Sequence, residues 1–185
     1  MNIQVIAEHS VDMDLLPDRS NIIDGGCRGF EFTDYFRDLG HNVRAFDIDN
    51  FPGKNYYMTA ITGSAGRVGI KRSADKNATK VCDGNDVCSE SIENITKICH
   101  ITMWDLIKLD IEGSEYEVIM SMDRPYATQL TIEFHAHCAY DLGTINIMVK
   151  KLESLGYEAV QHTVDKRHGL GLNAWDSLFI LKSAL

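Results

Sequence analysis

Apolar positions fall into short runs separated by polar, glycine-bearing breaks. Asn21-Ile22-Ile23-Asp24, the turn Gly25 to Gly29 and the stretch Phe30 to Leu39, closed by Gly40, predict a strand, a glycine turn and a helix. Residues 1–20 read as a short cap before that strand. Asn42 to Ile48 predicts a second strand and Tyr56 to Thr62 a third. After the turn Gly63 to Gly66, Arg67 to Arg72 opens a hairpin. Residues 73–91, rich in Asp, Asn and Lys and without an apolar period, predict a polar loop. Asp105 to Asp110 is nearly all apolar between its acids, as buried parallel strands are. Gly113 to Met122 has helical spacing of Tyr116, Ile119 and Met120. Leu130 to His135 predicts a fifth strand, and Asp141 caps a helix from Leu142 to Leu155 closed by Gly156. Tyr157 to Val164 and Ser177 to Leu181 predict two closing strands, paired antiparallel.

Strands alternating with helices, followed by two strands, predict an α/β fold. It is a doubly wound, mostly parallel, Rossmann-like sheet with an antiparallel edge, in a single domain over residues 1–185. Ligands in such sheets sit beyond the carboxyl ends of the strands. Asp24, Asp47, Asp110 and His135 all fall at or just past such ends.

The glycine turn narrows the ligand. A dinucleotide-binding turn has glycine at three positions, G-x-G-x-x-G. Here Gly26 and Gly29 hold the second and third, and Asp24 replaces the first. A carboxylate suits a pyrophosphate poorly and a cationic ligand well. S-adenosylmethionine, with its ammonium and sulfonium, is such a ligand. Asp47 lies 18 residues past Gly29 (47 − 29), close to the roughly 20-residue offset at which an acid meets ribose hydroxyls in nucleotide-binding folds.

Composition excludes several classes. A formal net charge of −9 argues against nucleic acid as a partner. The basic cluster Arg67, Lys71, Arg72, Lys76 and Lys80 reads first as a solvated loop or hairpin and second as a site for an anionic acceptor. No apolar run is long enough to span a membrane, and the N-terminus lacks a signal-peptide pattern. Five scattered cysteines fit a reducing compartment, so a cytoplasmic location is expected.

Asp110-Ile111-Glu112-Gly113-Ser114-Glu115, with the strand before it, resembles the L-K-I-D-V-E-G-x-E signature of the FkbM family of S-adenosylmethionine-dependent methyltransferases. Ile22 to Gly29 is similar to that family's cofactor loop, Ala45-Phe46-Asp47 to its strand-two acid, and Ile132 to His135 to its late E-x-H strand. The family's last loop glycine falls where this chain has Phe30, and its strand-two Glu is here Asp47. The resemblance implies a methyltransferase that methylates a hydroxyl of a sugar or small metabolite, with a small-molecule or glycan acceptor. The rival expectation is a non-catalytic protein that binds a nucleoside ligand or a partner on the same fold.

Asp24, Gly26, Cys27, Gly29, Asp47 and Asp110 are the residues expected around the cofactor. Methyl transfer needs donor and acceptor aligned, and a hydroxyl acceptor benefits from a base. His135 is the first candidate for that base, with Asp110 and Glu133 beside it. Asp110, Glu112, Glu133, His135 and His137 together offer metal-ligand chemistry. Lacking a certain third ligand beside the two histidines, the site is expected to hold no metal. Glu115 reads as an acid favoured by a helix N-terminus.

Overall fold

The computed structural model describes residues 1–72, 79–135, 142–165 and 174–185. A hairpin of β1 (Ile3–Ile6) and β2 (His9–Asp12) comes first. Then follow β3 (Asn21–Gly25), α1 (Glu31–Asp38), β4 (Asn42–Asp47), β5 (Tyr57–Ile61), β6 (Gly66–Arg72) and β7 (Thr79–Glu90). The second half comprises α2 (Ile92–Ile98), β8 (Trp104–Leu109), α3 (Glu115–Ser121), β9 (Ala127–His135), α4 (Leu142–Ser154), β10 (Tyr157–Asp165) and β11 (Ala174–Leu181). His137 and Asp141 lie outside the described residues.

Among the described residues, nine strands form one sheet in the order β10-β11-β9-β8-β3-β4-β5-β7-β6. The pairs from β9 through β8, β3, β4 and β5 to β7 are all parallel. The reversal from β3–β4–β5 to β8–β9 on the other side of β3 makes the doubly wound pattern. The two closing strands are antiparallel to each other, as expected. However, β11 inserts between β9 and β10 and runs against both, so β10 is the edge strand. At the other end β6 supplies an antiparallel edge.

The core follows from the apolar runs. Ile22, Ile23, Leu106, Ile107, Leu130 and Ile132, in the three central strands, are essentially inaccessible to solvent. Each such side chain contributes about 1.5–3 kcal/mol by leaving water. The amphipathic α1 turns Phe32 and Phe36 onto one sheet face with Ile22 and Val43. Val118, Ile119, Ile145, Met148 and Leu152 of α3 and α4 join the larger cluster with Ile107 and Leu130.

Two sequence expectations need correction. The polar segment 73–91 is not a loop throughout, because β7 spans Thr79–Glu90. Pairing with β6 on one side and β5 on the other supplies the backbone partners that its polar composition does not advertise. Residues 73–78 lie outside the described residues. The cap at 1–20 is a structured hairpin whose β2 is buried along its length. Asp12 N–H donates to Gln129 Oε1 at 3.0 Å, and Gln129 Nε2 donates to the Asp12 carbonyl at 3.1 Å, tying β2 to β9. The helix α2 has no counterpart in the pattern reading. Ser91 caps it, its Oγ accepting from Asn94 N–H at 3.1 Å.

Candidate active site

The carboxyl ends of β3, β4 and β8 meet at the glycine turn. Gly26 N–H and Cys27 N–H both donate to the Phe46 carbonyl at the end of β4, at 2.9 and 3.1 Å. Gly26 has φ +76°, and a Cβ there would stand 1.8 Å from the Asp110 carbonyl oxygen. Only glycine lets the β3 and β8 turns come this close. Its requirement is therefore met by protein backbone, and a bulky residue at this position could not leave the fold intact. Gly29 is also left-handed, at φ +81°. Phe30, where the resemblance expects glycine, keeps the glycine-like conformation at φ +65°. Its ring is buried against Phe51 and Tyr56, at centroid distances of 5.5 and 5.7 Å, which offsets that strain.

Asp24 does not offer its carboxylate to a ligand, contrary to the expectation drawn from the turn. It is fully buried, and Oδ1 faces Lys108 Nζ at 3.0 Å. Oδ2 accepts from Thr33 Oγ1 at 2.5 Å. Lys108 also donates to the Gly26 carbonyl at 2.9 Å. Burial alone would lower the Lys108 pKa, but Asp24 and Asp110 outweigh it and hold the ammonium firmly protonated. Cys27 is buried too. Burial, with Asp24 and Asp47 nearby, pushes its thiol far above the ordinary range, which suits packing and not nucleophilic chemistry.

Two clefts flank this turn and share Gly26, Arg28 and Asp110. The first is the more apolar of the two. Phe46, Ile48, Ala60, Ile61 and Ile111 supply apolar walls, and Asp47, Asp49, Asp110 and Glu112 supply carboxylates. Asp47 Oδ1 accepts from Asp49 N–H at 2.9 Å, and burial raises its pKa. The second cleft is polar and is bounded by His9, Asp24, Glu31, Lys108 and Asp110.

Behind Asp110 lies a cluster from four elements. His135, at the end of β9, is 4 % exposed and places Nδ1 2.9 Å from Glu115 Oε1. Its Nε2 stands 3.5 Å from Asp110 Oδ1, 3.6 Å from Glu112 Oε2 and 4.0 Å from Glu133 Oε1. On the other side His9 Nε2 stands 3.7 Å from Asp110 Oδ2, while His9 Nδ1 meets Asp176 Oδ1 at 3.2 Å. Burial opposes protonation of His135, yet Glu115, Asp110 and Glu112 raise its pKa well above the ordinary value. Burial also opposes ionisation of Asp110, but Lys108, His9 and His135 hold its carboxyl well below the usual range. Glu133 is pushed up to about 7 by burial and by the Asp110 charge.

These contacts correct the base assignment. His135 borders neither cleft, and carboxylates face both of its ring nitrogens, so it is not poised to take a proton from an acceptor. Asp110 is the member of the set Asp110, Glu133 and His135 that reaches both clefts. Glu115 is more than a dipole acid. It is fully buried, and its oxygens accept from Ile111 N–H at 3.1 Å and Gly113 N–H at 3.0 Å, bracing the turn in which Glu112 adopts φ +52°. Sequence reasoning missed His9, Lys108 and Asp176. Only Lys108 had a local signal, as a lone cation inside an apolar strand.

No family model and no curated protein matches the chain. Among solved structures, it is similar to the fibrillarin pre-rRNA processing protein of Methanococcus jannaschii, with TM-score 0.52 and 11 % identity over 93 % of this chain and 70 % of that one. A TehB-like SAM-dependent methyltransferase from Corynebacterium glutamicum matches with TM-score 0.49 and 16 % identity, over 91 % of this chain and 84 % of that one. A Burkholderia thailandensis 1,6-didemethyltoxoflavin-N1-methyltransferase, with bound 1,6-didemethyltoxoflavin and S-adenosylhomocysteine, matches with TM-score 0.49 and 12 % identity over 89 % and 72 %. Among the described residues, no helix is long and apolar enough to cross a membrane. Strand order and the fibrillarin likeness together show a doubly wound, Rossmann-like α/β fold.

Proposed function

We propose that the chain is an S-adenosylmethionine-dependent methyltransferase that methylates a hydroxyl of a sugar or small metabolite. The observation that carries this reading is the first cleft, where apolar walls and four carboxylates converge at the carboxyl rim of β4 and β8. That donor set fits a nucleoside carrying positive charge. Apolar walls suit an adenine ring, Asp47 suits ribose hydroxyls, and Asp110 suits an ammonium or sulfonium. Among the described residues, Arg28 is the only basic side chain in the lining, which serves a phosphate-bearing cofactor poorly. Bound there, S-adenosylmethionine supplies an electrophilic methyl group on sulfur.

The chain's own residues divide the remaining work. The Gly26–Asp110 contact fixes the spacing of the β3 and β8 turns, so whatever binds between them is held in a set orientation. Glu112, whose carboxylate lines the first cleft beside Asp110, is the group placed to receive an acceptor's hydroxyl proton. His135 positions both carboxylates from behind.

The resemblance of Asp110 to Glu115 to the FkbM signature favours oxygen as the methylated atom and supports a small-molecule or glycan acceptor. The negative net charge speaks against nucleic acid as that acceptor. Incubation of labelled S-adenosylmethionine with a panel of sugars, hydroxylated metabolites and amines tests this. Label on oxygen is expected, and label found only on nitrogen would refute O-methylation.

A further inference from the structure

We infer that His9, Asp110, Glu133, Glu112 and His135 form a binding site for a divalent first-row transition cation, centred on Asp110. Two sets of three side chains, His9–Asp110–Glu133 and Asp110–Glu112–His135, each bring one ligand atom per residue within 4.8 Å of the others. They share Asp110, whose two oxygens face the two histidines. This reverses the expectation of a metal-free site, which rested on the lack of a certain third ligand beside His135 and His137. His9 arrives from the N-terminal hairpin, about a hundred residues away in sequence.

Three observations carry the inference. The first is spacing. The contacts among Asp110, Glu112, Glu133 and the histidine Nε2 atoms run from 3.5 to 4.0 Å. That is close to the separation of about 3.4 Å between tetrahedral ligands placed about 2.1 Å from an ion. It is long for the charge-assisted hydrogen bonds these groups would otherwise make.

The second is the orientation of the rings. Each histidine turns Nδ1 to a carboxylate outside the cluster, His9 to Asp176 at 3.2 Å and His135 to Glu115 at 2.9 Å. Metal-bound imidazoles have this arrangement, in which an outer acid fixes the tautomer and leaves the other nitrogen to face the ion. Thr131 Oγ1 donates to the same Asp176 oxygen at 3.1 Å, holding that acid in place.

The third is His9 itself. It is 3 % exposed, and its Nε2 points at Asp110 from 3.7 Å, beyond hydrogen-bond distance. Lys108 is only a shared counter-ion of Asp110. It is 3.5 Å from Asp110 Oδ2 but closer to Asp24, at 3.0 Å, and to the Gly26 carbonyl, at 2.9 Å. Each set joins one imidazole to two carboxylates, a mixed donor set that suits manganese, iron, cobalt or zinc better than calcium. Held on Asp110, which reaches both clefts, such an ion would polarise a hydroxyl oxygen brought to it.

The test strips the full chain with chelator and titrates Co²⁺ alone, reading the visible absorption of bound cobalt. At least one saturating equivalent is expected. Co²⁺ should also restore a thermal midpoint lowered by chelation. His9→Gln and Glu133→Gln should each weaken Co²⁺ binding at least tenfold. Asp176→Asn, which leaves every ligand in place, should weaken it about 10–100-fold. Circular dichroism confirms folding of each variant, and Asp176→Asn decides should His9→Gln fail to fold. No saturable cobalt signal with a midpoint indifferent to chelator overturns the site. Wild-type affinity in the folded variants does the same. S-adenosylhomocysteine titrated in parallel keeps the two proposals apart. Its binding together with no saturable cobalt signal sinks the metal site alone, and cobalt binding with no binding of it supports the site and sinks the methyltransferase reading alone.

Discussion

Lys108 Nζ lies 3.0 Å from Asp24 Oδ1, and the two side chains are 4 % and 0 % exposed. A strand residue of β8 and the turn acid of β3 thus neutralise each other in the wall of the second cleft. Breaking such a pair leaves one buried charge uncompensated. Lys108→Met should destabilise the fold by about 3–5 kcal/mol, read from the urea midpoint. A loss under about 1 kcal/mol, the scale of an exposed ion pair, would show that Asp24 is satisfied by other means.

Gly26 faces the Asp110 carbonyl so closely that even a methyl group is excluded. Gly26→Ala should cost about 2 kcal/mol or more, from left-handed backbone strain and the displaced β8 turn. Differential scanning fluorimetry measures this as a lowered midpoint, and ligand binding should fall with it. A variant of undiminished stability would mean that the two turns separate at little cost.

Asp47 is held in a partly buried place where its charge is disfavoured. It is expected to serve binding at the expense of stability. Asp47→Ala should weaken S-adenosylhomocysteine binding by about 5–150-fold, equivalent to about 1–3 kcal/mol for unpaired ribose hydroxyls. The unligated midpoint should stay level or rise. Unchanged affinity would remove Asp47 from the cofactor site.

Cys27 carries a thiol whose pKa burial drives far upward. Raising an acid's pKa shrinks its thiolate fraction at a given pH, and thiolate is the reactive form. At pH 8, iodoacetamide should modify exposed Cys82 and Cys88 while sparing Cys27, as peptide mass mapping would show. Rapid alkylation of Cys27 would contradict its placement in the sealed turn.

What the sequence made legible was local. Ile22 to Asp24, Ala45 to Asp47 and Leu106 to Leu109 announced their strands through apolar runs ending in polar residues, and those ends defined the rim. Phe30 showed the limit. Its departure from glycine is visible in the chain, but the left-handed backbone it retains is set by a pocket of Phe51 and Tyr56. The cluster around Asp110 was legible only on one side. His9 and Asp176 pair across 167 positions, a relation created by the packing of β2 on β9 and β11. The strand β7 was hidden for the same reason, since its polar residues become a strand through partners on both sides.

The central claim is that the cleft between Asp47 and Asp110 takes S-adenosylmethionine. Calorimetric titration of S-adenosylhomocysteine and, separately, NADH into the full chain tests it most directly. Saturable one-to-one binding of S-adenosylhomocysteine, lost in Asp47→Ala, with no heat from NADH, is the expected result. Binding of NADH with none of S-adenosylhomocysteine would contradict the claim.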